Sequence, residues 1–207
     1  MTAPGRRPRW PGADLPGRRL FIAVPLPSDA TARIAALVDG VRAAGVPGGG
    51  HDVRWVRLDG LHLTLRFLGP TLDDRIAPAR EAVRAAAASS PAFDVSIGGA
   101  GAFPSASRPR ALWLGVQVGE DRLGELAATV DRALVAAGWQ LEAKPYVAHL
   151  TLARADGITA GSAIGASLVA AAADLDVGFR ADRIGLFESL TGGGPARYEP
   201  IEMADLA

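Results

Sequence analysis

The tetrapeptide His62-Leu63-Thr64-Leu65 recurs identically, 87 positions later, as His149-Leu150-Thr151-Leu152. Side chains alternate faces along an extended strand, so each copy presents a histidine and a threonine on one side and two leucines on the other. Two imidazoles and two hydroxyls converging on one ligand suit an in-line displacement at phosphorus. Hydrolysis of a cyclic phosphodiester needs a base for the attacking water and, on the opposite side, an acid for the leaving sugar oxygen. An imidazole titrates at about pH 6.5 and serves in either role. The threonine hydroxyls can donate to the non-bridging oxygens, where negative charge is held through the transition state.

A single His-x-Thr would more often be a hydrogen-bonded core or surface pair, and the exact duplication is what lifts these residues out. The third histidine, His51, lies in a glycine-rich stretch with no echo elsewhere and is expected to be solvent-exposed. Zinc ligation would need a third ligand, and no Asp or Glu follows either motif at even spacing before the strand ends. No metal site and no cofactor are therefore expected. Attack by Thr64 or Thr151 as a nucleophile would need a neighbouring base and an oxyanion hole, of which the sequence gives no sign.

The elements that must carry these motifs are legible from periodicity. Leu20 to Val24 is a short buried-strand run stopped by Pro25 and Pro27, and Ser28 then offers an N-cap to a helix over about 29–44. A Pro/Gly loop, a short strand at Trp55-Val56 and a turn at Asp59-Gly60 precede a strongly β-patterned run over 61–68. A helix over 73–88 and a strand over 93–97 follow. The second half gives a strand over 111–118, a helix over 120–137, a strand over 146–153, an Ala-rich helix near 162–173 and a strand from about Val177. The order strand, helix, strand, helix, strand is thus written twice, and a repeat of this length suits two lobes related by a pseudo-twofold axis. Such alternation, taken alone, suggests a parallel doubly wound sheet. No glycine-rich phosphate loop stands at any strand-to-helix junction, so neither a Rossmann nor a P-loop reading has support.

Composition bounds the remaining readings. The 207 residues carry 22 Lys+Arg and 22 Asp+Glu, with no cysteine, which excludes a disulfide scaffold and a thiol nucleophile. Hydrophobic residues make up 49% and charged residues 21%, ordinary values for a globular chain with a real core. Zero formal net charge argues against a protein that neutralises many phosphates along duplex nucleic acid, and leaves a terminal phosphate open as a ligand. Residues 1–18 mix Arg, Pro and Gly without an apolar run and read as a flexible tail with no signal-peptide core. A cytoplasmic protein without membrane attachment is expected.

Taken with their flanks, the motifs resemble the two-histidine phosphoesterase superfamily, and within it the RNA 2′,3′-cyclic phosphodiesterases, also called 2′-5′ RNA ligases of the LigT/ThpR type. The resemblance runs from Arg19-Leu20-Phe21-Ile22-Ala23-Val24 through Arg54-Trp55-Val56, Leu61 to Gly69, Arg108-Pro109-Arg110 and Leu112-Trp113-Leu114-Gly115. It continues through His149 to Arg154, then Leu186-Phe187-Glu188-Ser189 and a late Tyr198. It implies an α+β bilobal fold, with pseudo-symmetric lobes whose antiparallel sheets line a central cleft and whose helices lie outside. One domain over 19–207 is expected, with lobes over about 19–105 and 106–207 and strands exchanged between them. The implied activity is metal-independent hydrolysis of RNA or nucleotide 2′,3′-cyclic phosphates to 2′-phosphomonoesters by a monomer, with His62 as acid and His149 as base. Joining of tRNA half-molecules through a 2′-5′ bond, and non-catalytic binding of RNA ends or nucleotides, are the alternatives.

By the same resemblance Phe67 and Arg154, each five residues beyond a histidine, are candidates to stack on the base and to hold the phosphate. Strand parity objects, because an i+5 side chain in a regular strand faces away from residue i. These two therefore need a bulge or strand end, whereas Arg66 has the right parity and competes for the phosphate. Tyr146 has the wrong parity and is expected in the core. Ala148 stands where the family often has proline, and Lys144 where arginine is common, departures that bear on loop rigidity and RNA affinity.

Overall fold

The computed structural model describes residues 16–45, 52–192 and 194–207. His51 and most of the N-terminal tail lie outside this set. The elements are β1 (Arg18–Pro25), α1 (Ser28–Ala44), β2 (Val53–Trp55), β3 (His62–Thr71), α2 (Ile76–Ala88), β4 (Phe93–Phe103), β5 (Ala111–Val118), α3 (Glu120–Ala136), β6 (His149–Ala155), α4 (Ile158–Ala171), β7 (Val177–Ala181), β8 (Arg183–Leu190) and β9 (Arg197–Asp205). Ser28 is the first helical residue of α1 rather than its cap. Pro27 takes the cap position, and its carbonyl accepts the Thr31 amide.

Two sheets form, one ordered β3-β1-β8-β9 and the other β2-β6-β5-β4-β7. Every strand pairing in them is antiparallel, which disposes of the parallel arrangement that the strand-helix alternation suggested. Helices α2 and α3 cover the first sheet, while α1 and α4 cover the second. The His62 strand therefore lies in one sheet and the His149 strand in the other.

The lobes are not the two halves of the chain. The first sheet takes β1 and β3 from the N-terminal half and β8 and β9 from the C-terminal end; the second takes β2 and β4 from the N-terminal half. Helices are exchanged as well, with α1 packing on α4 and α3 packing on β3. The boundary expected near residues 105 and 106 thus separates two sequence repeats, each of which contributes to both lobes. The tail boundary also moves inward, because Arg18 begins β1 and its guanidinium pairs with Glu188 of β8 at 2.5 Å.

Leucines on the helix-facing sides hold the motif strands down. Leu63 and Leu150 are fully buried, and removing such a side chain from water contributes about 2 kcal/mol each. Tyr146 packs against this core from the irregular segment that precedes β6, and its hydroxyl is buried.

Candidate active site

His62 and His149 open β3 and β6 and are oriented in the same way. The Nδ1 of His62 lies 2.7 Å from the carbonyl oxygen of Gly60, and the Nδ1 of His149 lies 2.8 Å from that of Val147. Each ring is held by the residue two positions before it. A carbonyl only accepts, so both Nδ1 atoms carry hydrogen and donate, and in each neutral ring the lone pair is on Nε2. Neither Nε2 is engaged by another group among the described residues. Neither are the hydroxyls of Thr64 and Thr151, the half-buried neighbours two positions on.

The surroundings of the two rings differ. His62 sits among Phe21 (ring centroids 4.7 Å apart), Tyr198 (4.8 Å, edge-on) and Phe187 (6.5 Å). Burial among these rings lowers its pKa from the ordinary imidazole value; the Gly60 carbonyl opposes this, and the charge of His149 adds to the lowering. That influence on His62 places it within electrostatic reach of His149 in the other sheet. His149 meets Phe103 edge-on at 4.9 Å and Trp113 at 6.4 Å.

Both motif strands carry a bulge at the same place. Against β1, Ala23 pairs with Thr64 and Ile22 with Arg66, so Leu65 is the extra residue. Against β5, Trp113 pairs with Thr151 and Leu112 with Ala153, so Leu152 is extra. Each bulge falls three residues after the histidine and reverses the alternation beyond it. The strand-parity objection to Phe67 and Arg154 therefore does not apply. Phe67 pairs with Phe21, its ring 6.1 Å away, and stands 63% exposed at the rim. Arg154 is exposed on β6, and its charge acts on the Tyr198 hydroxyl of the opposite sheet, offsetting part of the rise that burial gives that group.

Arg66 is displaced by the same bulge, and the parity that favoured it as a phosphate ligand is corrected. It pairs with Ile22, a buried residue of the helix-facing side. Its guanidinium meets Asp131 of α3 at 3.4 Å and Glu142 at 2.6 Å, and donates to the Gln140 carbonyl at 2.6 Å. With a side chain only 10% exposed, it ties β3 to the segment leading toward β6.

Phe21, Phe103 and Phe187 were not legible as site residues. Phe21 sits in the apolar run of β1, whose two faces both look hydrophobic, and only the pairing shows which face meets the histidines. Among the described residues no cluster of three His, Asp or Glu side chains is placed to hold a metal ion.

Two antiparallel sheets with external helices, each presenting one histidine and one threonine to the cleft between them, define a two-histidine phosphoesterase. The chain belongs to the 2′-5′ RNA ligase superfamily, whose model matches residues 26–193. It is 30% identical over 187 residues to the RNA 2′,3′-cyclic phosphodiesterase of Methanothermobacter thermautotrophicus, covering 89% of this chain and 97% of that protein. A protein of the same name from Geobacillus stearothermophilus is 37% identical over 134 residues, covering 65% of this chain and 41% of that one; the match thus spans less than half of that relative. Among solved structures, TT0787 of Thermus thermophilus superposes with a TM-score of 0.68 at 24% identity, covering 91% of this chain and 97% of that one. E. coli LigT complexed with 3′-AMP gives 0.67 at 24% identity, covering 91% and 98%. These structural likenesses are of fold.

Proposed function

We propose that the chain hydrolyses RNA or nucleotide 2′,3′-cyclic phosphates to 2′-phosphomonoesters by acid-base catalysis between His62 and His149. The observation that carries this reading is the pair of equivalent Nδ1-to-carbonyl hydrogen bonds. They leave both Nε2 atoms as the working groups, one in each sheet. Water attacks phosphorus in line with the bond to O3′. Its proton passes to the neutral Nε2 of His149, while the His62 imidazolium gives its Nε2 proton to O3′ as that bond breaks. The product carries a 2′-phosphate and a free 3′-hydroxyl, and the two histidines have exchanged protonation states.

Burial makes the His62 imidazolium a stronger acid than a free one. The anionic phosphate between the rings offsets that burial and keeps the proton in place until O3′ needs it. Thr64 and Thr151 donate to the non-bridging oxygens, Arg154 adds a fixed positive charge beside them, and Phe67 offers an exposed ring to the base. Arg66 is omitted from the binding set because its guanidinium is already committed to Asp131 and Glu142. The same groups serve 2′-5′ joining when a 5′-hydroxyl replaces water. The protein acts as a cytoplasmic monomer in this reading; among the described residues no helix is long and apolar enough to cross a membrane.

Incubation with 2′,3′-cyclic AMP, followed by phosphorus NMR, tests the proposal. The expected product is 2′-AMP, formed at an unchanged rate after exhaustive chelation and abolished in folded His62→Ala and His149→Ala proteins. Formation of 3′-AMP, or full activity in either variant, overturns it.

A further inference from the structure

The two histidines share one hydrogen-bond arrangement but differ in what holds the accepting carbonyl. For His149 that carbonyl belongs to Val147, a residue 48% exposed in an irregular segment. For His62 it belongs to Gly60, at the end of a short turn over Leu58–Gly60, and an aromatic ring lies against that glycine. A Cβ added at Gly60 would stand 2.9 Å from Cδ2 of Tyr198, closer than real Cβ contacts come, so the tyrosine ring rests on the bare glycine backbone. The same ring meets the His62 imidazole edge-on, with centroids 4.8 Å apart and planes at 85°. The Tyr198 ring therefore lies against Gly60 and His62, the two residues that this hydrogen bond joins.

Its own position is fixed from several sides. On β9 it pairs with Ser189, and its ring packs edge-on against Phe21 at 5.2 Å. Phe21 stacks in turn on Phe187 at 5.4 Å, so the ring belongs to a packed aromatic group rather than to a free loop. Its only polar side-chain atom is the hydroxyl, and the contacts to Gly60 and His62 are made by the ring.

We infer that Tyr198 is a positioning residue, whose ring clamps the Gly60 carbonyl against Nδ1 of His62 and so fixes both the tautomer and the aim of Nε2. Glycine at position 60 is part of the device, since any larger residue would lift the ring. The catalytic meaning of the clamp rests on the acid-base reading of His62; the clamp itself does not. Reacting groups held in alignment lose rate steeply when displaced by even an ångström, so loosening this carbonyl acts on kcat more than on substrate binding.

The test uses Tyr198→Ala, Tyr198→Phe and Gly60→Ala in the full chain, with two readouts. The first is the ¹⁵N chemical shifts of the His62 ring without substrate, which report the tautomer. The second is kcat and KM for 2′,3′-cyclic AMP. Tyr198→Ala and Gly60→Ala are expected to mix the two His62 tautomers and to lower kcat by roughly tenfold or more, with KM within about twofold of the parent value. Tyr198→Phe is expected to recover the single tautomer and most of the lost kcat, because the ring carries the effect. An unmixed His62 tautomer in both Tyr198→Ala and Gly60→Ala overturns the inference, as does a loss in Tyr198→Phe equal to that in Tyr198→Ala, which would assign the role to the hydroxyl. A parent protein with no turnover would refute the acid-base reading while leaving the ¹⁵N test of the clamp intact.

Discussion

Phe67 and Phe21 are cross-strand partners whose rings lie 6.1 Å apart, and Phe21 in turn lies 4.7 Å from His62. The bulge at Leu65 thus turns a residue five positions beyond the histidine back toward the histidine's side. The equivalent bulge at Leu152 does the same for Arg154. Two sheets carry matching irregularities at matching places, each converting an odd spacing into a shared face.

If Phe67 stacks on the base, its exposed ring contributes to binding rather than to folding. Stacking on an aromatic side chain is worth about 1–3 kcal/mol, so Phe67→Ala is expected to raise KM for 2′,3′-cyclic AMP by roughly tenfold. The thermal midpoint should stay near the parent value, because the ring is already 63% exposed. Steady-state kinetics beside a melting curve check both parts, and an unaltered KM would remove Phe67 from the site.

Arg66 gives the opposite expectation. Its guanidinium is shared between the nearly buried Asp131 and the half-exposed Glu142, and removing it leaves Asp131 with only the Glu142 amide as partner among the described residues, at a cost of about 2 kcal/mol. Arg66→Met should therefore lower the urea midpoint, with much less effect on KM than Arg154→Ala produces. Urea unfolding of Arg66→Met, alongside kinetics of both variants at a temperature where each is folded, separates the two arginines. A large KM effect from Arg66→Met with undiminished stability would return that residue to the phosphate.

The environment of His62 makes stability depend on pH in a defined direction. Burial among Phe21, Phe187 and Tyr198 lowers its pKa in the folded state, whereas the unfolded chain has the ordinary value of about 6.5. The unfolded state then binds more protons in the interval between the two values. The contribution of His62 is fully present above about pH 6.5 and is lost as pH falls toward and through the folded pKa. Glu202 is held below the usual carboxylate range by Arg84 and Arg80, and its own loss falls at lower pH. Between about pH 7.5 and 5.5 the parent should lose more stability than His62→Gln, as measured by urea midpoints. Equal losses in the two proteins would contradict the buried setting.

The repeated tetrapeptide, the alternation that sets His62 beside Thr64 and His149 beside Thr151, and most helices and strands could be read from the chain, because these signals are local and have periods of about 2.0 or 3.6 residues. Their flanks also carried the family. Boundaries drifted where the signal was weak: β6 begins at His149 rather than three residues earlier, and β4 runs on to Phe103. Three matters were decided only by tertiary structure. Which strands share a sheet depends on hydrogen bonds between residues far apart in sequence, so the exchange of β2, β4, β8, β9, α1 and α3 between lobes leaves no local trace. A bulge exists only relative to a partner strand, and so the faces of Arg66, Phe67 and Arg154 were set by β1 and β5. The lowered pKa of His62 comes from rings supplied by β1, β8 and β9, an environment that no window around residue 62 contains.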